Sequence, residues 1–171
     1  MMQSKTAIRT LAEGGGQPGE VLFKANNELC EGNGADMFVT VWLGIIDLDT
    51  GFVKCANAGH EYPVIRRSGG EYELFKDKHS PAVATMEDMK FKEYDLQLNR
   101  GDALFVYTDG IPEAINEAVE QYGVERMLNS LNRHADENLQ DMLPAVRKDL
   151  ADFVGKADQF DDVTMLAFRY L

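Results

Sequence analysis

The sequence predicts an α+β domain built in layers, and three observations carry that prediction. Two amphipathic helical stretches open the chain, β-branched and aromatic strands fill its middle, and two more helices precede a last strand. The 171 residues are the size of one domain, and 44% hydrophobic content suffices for a single sizeable core. Residues 1–171 are therefore expected to form one globular unit.

Residues Met1 to about Glu13 read as a helix with Ile8, Leu11 and Ala12 on one side, ended by Gly14-Gly15-Gly16. Nothing before Met1 caps its opening N–H groups, as in a chain cut inside an element. Pro18 suits the first turn of a second helix, striped by Val21, Leu22, Ala25 and Leu29. The triple glycine lacks a following Gly-Lys-Ser/Thr and reads as a linker rather than a phosphate cradle.

Met37 to Leu48 is apolar on both alternations, the pattern of a central strand covered on both faces. Asp49-Thr50-Gly51 turns it into a strand over Phe52–Ala58. Shorter strands follow at Tyr62–Arg67 and Tyr72–Phe75, separated by Ser68-Gly69-Gly70, then at Met89–Leu98 and Ala103–Tyr107. The middle of the chain is thus an antiparallel meander. Helices follow over Val124–His134 and onward to about Val154, and Pro144 requires the second to start near Asp141 or to kink. Val163–Tyr170 is the closing strand.

The formal net charge of -12, with scattered basic residues, excludes nucleic-acid binding. No run of about 18 apolar residues and no secretory leader is present, so no direct membrane contact is expected of this domain. Cys30 and Cys55 form neither a zinc ribbon nor a disulfide framework, and a reducing cytoplasm is the expected setting. Other domains of a longer parent are left free to tether it to a membrane.

The chemistry rests on carboxylates. Asp109 in Tyr107-Thr-Asp-Gly110 stands at a strand exit, and Asp161-Asp162 lead directly into the last strand. Each alone is an ordinary turn or loop ending. Together they offer hard oxygen ligands from two rigid positions if the strands are neighbours, which suits Mg²⁺ or Mn²⁺. Asn57-Ala-Gly-His60 follows a strand. There Asn57 and Gly59 shape a turn, and His60 reads as a hydrogen-bonded residue with a metal or acid/base role as the alternative. His79 and His134 lack a nearby constellation and read as surface residues. No nucleophile elbow or Cys/His/Asn set is present.

Five ordered segments resemble one branch of the protein phosphatase 2C superfamily: Met37–Gly51, Ala56-Asn-Ala-Gly-His60, Gly101–Gly110, Ile111-Pro-Glu-Ala-Ile-Asn116 and Asp161-Asp-Val-Thr164. That branch holds the stage II sporulation E phosphatases and related regulators of stress sigma factors. The resemblance implies an antiparallel β-sandwich flanked by helical pairs, with two Mn²⁺ or Mg²⁺ ions at one end activating water for in-line attack on phosphorus. By motif position it implies that Asp109 and Asp161 are metal ligands, with Asp162 the lesser candidate, and that Gly110, Asn57, Gly59 and His60 shape the site. The family's opening Gly-Asp-x-x-Asp and Asp-x-x-Gly-x-Gly segments are not in the sequence; its one Gly-Asp pair, Gly101-Asp102, belongs to a later strand. The expectation is a domain without its N-terminal strands and with part of the binuclear site, or none of it. Such a chain would be inactive by itself and associate with its own copies. The implied activity is hydrolysis of phosphoserine or phosphothreonine on a regulatory protein such as an anti-sigma-factor antagonist. The alternative is a non-catalytic module that binds the same kind of partner.

Overall fold

The computed structural model describes residues 2–31, 37–159 and 161–171. Contacts divide the chain into two compact units, Met1–His60 with Asp77–Leu98, and Glu61–Lys76 with Asn99–Leu171.

The first unit opens with helices α1 (Met2–Glu13) and α2 (Pro18–Cys30). Pro18 occupies the first turn of α2, as its fixed φ favours. The cap residue Gln17 supplies no side-chain bond, and the Gly19 N–H donates instead to Glu93 Oε1 at 2.9 Å. A three-stranded antiparallel sheet has the order β1-β2-β5, with β1 at Val41–Ile46, β2 at Phe52–Ala58 and β5 at Glu93–Gln97. Leu22 from α2 packs with Ala56, Ala58, Val83, Met89 and Phe91 to form the core of this unit.

β1 departs from expectation. Among the described residues it pairs only with β2, in a register running from Val41 opposite Ala58 to Ile46 opposite Val53, so it is an edge strand there and not a central one. None of its residues is fully buried, and Met37 and Phe38, expected inside the strand, lie before it and are exposed. The alternation of side chains reports which faces are apolar but carries no information on whether the outer backbone edge is paired.

The second unit holds a four-stranded antiparallel sheet in the order β4-β3-β6-β7: β3 at Val64–Arg66, β4 at Tyr72–Leu74, β6 at Ala103–Tyr107 and β7 at Met165–Arg169. Helices α3 (Gly123–Arg133) and α4 (Leu139–Val154) pack on it. Phe105, Tyr107, Ile111, Tyr122, Met127, Leu131, Met142, Val146 and Leu150 form its core. α4 begins at Leu139, earlier than Asp141, because Asn138 caps it by accepting from the Asp141 N–H at 3.0 Å. Pro144 sits inside the helix on an exposed face; the bond it forgoes would have run to the Gln140 carbonyl, also on an exposed residue.

Candidate functional site

In the second unit, the end of β6 and the start of β7 lie side by side. Tyr107 pairs with Met165, and the ladder continues with the Thr108 N–H donating to the Thr164 carbonyl at 3.1 Å. The Thr108 hydroxyl fastens the two segments further. It donates to the Asp162 carbonyl at 2.8 Å and accepts from the Thr164 N–H at 3.0 Å. Asp109 therefore leaves one strand where Asp161 and Asp162 enter its neighbour.

Gly110 makes this close approach feasible. A Cβ there would lie 2.5 Å from the Asp162 carbonyl oxygen, nearer than any real side chain tolerates. Beyond it the chain turns at once, with the Ile111 N–H bonded to the Thr108 carbonyl and the Glu113 N–H to the Asp109 carbonyl. Asp109, Asp161 and Asp162 are all exposed. Asp161 Oδ1 accepts from the Asp162 N–H at 2.6 Å. The carboxylates of Asp109 and Asp162 make no hydrogen bond or ion pair among the described residues. Unengaged oxygens on two rigid strand ends are the right donors for a hard divalent cation. Among the described residues no three His, Cys, Asp or Glu side chains are grouped to hold a metal.

Below this end, Tyr107 is buried, its hydroxyl 3.5 Å from Glu61 Oε2. Burial, followed by the charge of Glu61, pushes its phenol pKa well up, so it remains a neutral donor.

The Asn57–His60 turn belongs to the first unit. Asn57 Oδ1 accepts from the His60 N–H at 2.8 Å, Gly59 has φ +68°, and a Cβ on Gly59 would press on the Ala82 nitrogen at 3.2 Å. His60 Nδ1 lies 3.3 Å from Thr40 Oγ1. These are the turn-shaping roles read from the sequence. Asp77, which the sequence reading passed over, is the hub of this unit's polar core. Its buried carboxylate accepts from Asn57 Nδ2 at 2.9 Å and from the Tyr94 hydroxyl at 2.7 Å, and Trp42 Nε1 donates to that same hydroxyl. Asp77 Oδ1 makes no well-aligned hydrogen bond among the described residues, although His79 Nε2 is 3.1 Å away. Burial, with the charge of Asp77 second, pushes the Cys55 thiol pKa to about 12 and leaves it inert.

Neither His79 nor His134 is an isolated surface residue. His79 contacts Asp77 and Asn57. His134 bridges Glu137 at 2.9 Å and, through its other nitrogen, Asp149 on α4 at 3.2 Å. The only sequence signal for either was an acid two or three residues away; the remaining partners are brought in by the fold.

The fold is of the protein phosphatase 2C type. A PP2C domain, that of SiaA from Pseudomonas aeruginosa, superposes with a TM-score of 0.81 at 23% identity, covering 99% of this chain and 68% of that one. The sequence profile described as Stage II sporulation protein E (SpoIIE) matches residues 1–171, and the chain belongs to that family. It is 32% identical over 131 residues to Protein IcfG of Synechocystis sp., covering 77% of this chain and 20% of that protein. It is also 25% identical over 176 residues to Phosphoserine phosphatase RsbU of Bacillus subtilis, covering 99% and 50%. The chain thus spans half or less of the length of Protein IcfG and of RsbU.

Proposed function

We propose that the protein carrying this chain is a divalent-metal-dependent phosphatase acting on phosphoserine or phosphothreonine in a small regulatory protein, of which an anti-sigma-factor antagonist is the leading candidate. Residues 1–171 are a piece of its catalytic domain, working in the cytoplasm. The observation that carries this reading is the meeting of Asp109 and Asp161 at adjoining strand ends, fastened by the Thr108 hydroxyl. Relationship to a protein named as a phosphoserine phosphatase supports the reaction class.

In this reading Asp109 and Asp161 hold Mn²⁺ or Mg²⁺, with Asp162 in support. The cation supplies activation of water near neutral pH and neutralisation of phosphoryl charge. The chain's own residues fix the geometry. Thr108 holds the two backbone segments together, Gly110 allows them to touch, and Asp161 Oδ1 is oriented by the Asp162 N–H. A formal charge of -12 repels free phosphate esters, so a positive local field is a condition of binding.

A second reading, a non-catalytic module for the same partner, draws on the absence of a three-donor group among the described residues. Phosphate release by the full-length protein with Mn²⁺ separates the two. Turnover of a phosphorylated regulatory protein in clear preference to p-nitrophenyl phosphate supports the phosphatase. Equal efficiency on both removes the protein-substrate assignment, and binding without release favours the module.

A further inference from the structure

Next to the carboxylate pair, the second unit contains a cleft of about 320 Å³, bounded at one side by Gly110 and Asp161. Its apolar floor is made by Leu150 and Val154 of α4 and by Val163 just before β7. Glu113 and Asp158 stand among its lining residues, and Arg147 is the one base among the described ones. Arg147 makes no ion pair among the described residues. A third acid closes in from the loop that follows the cleft wall, since a Cβ on Gly155 would lie 3.8 Å from Glu117 Oε2.

That loop shows a second, independent peculiarity. Ile115, which lines the cleft, bridges to Gln121, and between them the chain doubles back with Val119 near its tip. Val119 is 75% exposed and has φ +63°, a left-handed conformation that a β-branched residue rarely adopts. Asn116 enforces it. Its Oδ1 accepts from the N–H groups of Ala118 and Glu120, and its carbonyl accepts from the Val119 N–H. Strain of this kind persists where the surrounding structure imposes it, and it collects at ligand-contacting sites. Here it holds an apolar side chain in water on the loop that borders the cleft.

We propose that the cleft and the Val119 loop together dock the polypeptide that flanks the phosphoserine, taking a large apolar side chain on the Leu150–Val154–Val163 floor and a lysine or arginine against Glu113, Glu117 and Asp158. The proposal rests on the phosphatase reading for what sits at Asp109 and Asp161, and it adds the chemistry of the substrate around the phosphate. Charge complementarity selects the occupant. Besides Asp161, three acids against one base among the described residues, on a chain of net charge -12, favour a basic segment over an acidic one.

The test measures binding of fluorescein-labelled phosphoserine peptides to the full-length protein, without added metal, by anisotropy. One peptide carries leucine and lysine beside the phosphoserine, and its controls carry alanine or glutamate in those places. The leucine-lysine peptide is expected to bind about tenfold tighter than the alanine control. The Glu113→Lys/Asp158→Lys variant should reverse the preference between lysine and glutamate. Val119→Gly should melt at a higher temperature yet bind the peptide several-fold more weakly, a split that a purely structural role would not give. Equal affinity for all peptides, or a charge preference unaltered in the double variant, overturns the proposal. The same peptides are then offered to the full-length protein with Mn²⁺. Selective binding without hydrolysis counts against the phosphatase reading and leaves the dock standing; hydrolysis indifferent to these substitutions does the reverse.

Discussion

Replacing Gly110 by alanine tests the closest contact at the candidate site. The new Cβ would sit 2.5 Å from the Asp162 carbonyl oxygen and 3.0 Å from its carbon. Carbon–oxygen contacts ordinarily relax to about 3.3–3.6 Å, so the strands must part by roughly 1 Å. The displaced oxygen is the one that accepts the Thr108 hydroxyl at 2.8 Å. Losing that bond costs about 1 kcal/mol, and residual overpacking adds about 1–3 kcal/mol. The sum of roughly 2–4 kcal/mol lowers the melting temperature by about 5–15 °C for a chain of this size. A misplacement of about 1 Å beside Asp109 should also lower turnover in the full-length protein by roughly 100-fold. Thermal melts followed by circular dichroism, with phosphate release at a temperature where both proteins are folded, read the two effects. A Gly110→Ala protein that melts within about 1 °C of the parent would refute the contact, and with it the argument that Gly110 brings Asp109 to Asp161.

Three further outcomes follow from the structure. His134 has its pKa raised, first by the bond to Glu137 and then by Asp149, so its contribution to stability is complete below the ordinary histidine value near 6.5 and is lost as pH rises through the folded value. The urea midpoint should fall across that window by the equivalent of about 1 kcal/mol, and His134→Gln should flatten the difference. Asp102 is pushed up by burial, but bonds from the Asn99 N–H, Arg67 and the Ser68 N–H outweigh this and hold it below the usual carboxylate range. Asp102→Ala should cost about 3 kcal/mol at neutral pH, and the difference from the parent should shrink as acid protonates the carboxylate. The open edge of β1, half-exposed and free of charged residues from Val41 to Ile46, should drive association of the chain with its own copies. Light scattering at increasing concentration checks this, and a monomer throughout counts against it.

The elements that bury a regular stripe were legible. Val21, Leu22 and Ala25 mark α2, and Met142, Val146 and Leu150 mark α4, because a helix that packs on one side writes its period into the sequence. The strand-exit place of Asp109 and the strand-entry place of Asp161 were legible because each is adjacent to a strand, and pairing of β6 with β7 sets those two strand ends side by side. Other features are tertiary and leave little local trace. The outer edge of β1 depends on which strands are present and not on its own residues. His134 meets Asp149 only because α3 and α4 pack together. Asp77 reads as one acid among 29, and only the fold buries it under Asn57 and Tyr94. The left-handed backbone of Val119 has no sequence signal, since valine is the residue such a position should avoid.

The central claim is that Asp109 and Asp161 together serve a divalent cation used to hydrolyse a phosphoserine protein. Phosphate release by the full-length protein with Mn²⁺, compared with its Asp109→Asn and Asp161→Asn variants, tests it most directly. The account predicts a loss on the order of 100-fold or more in each variant, with melting temperatures close to the parent's because both side chains are exposed. Undiminished turnover in either variant would contradict it.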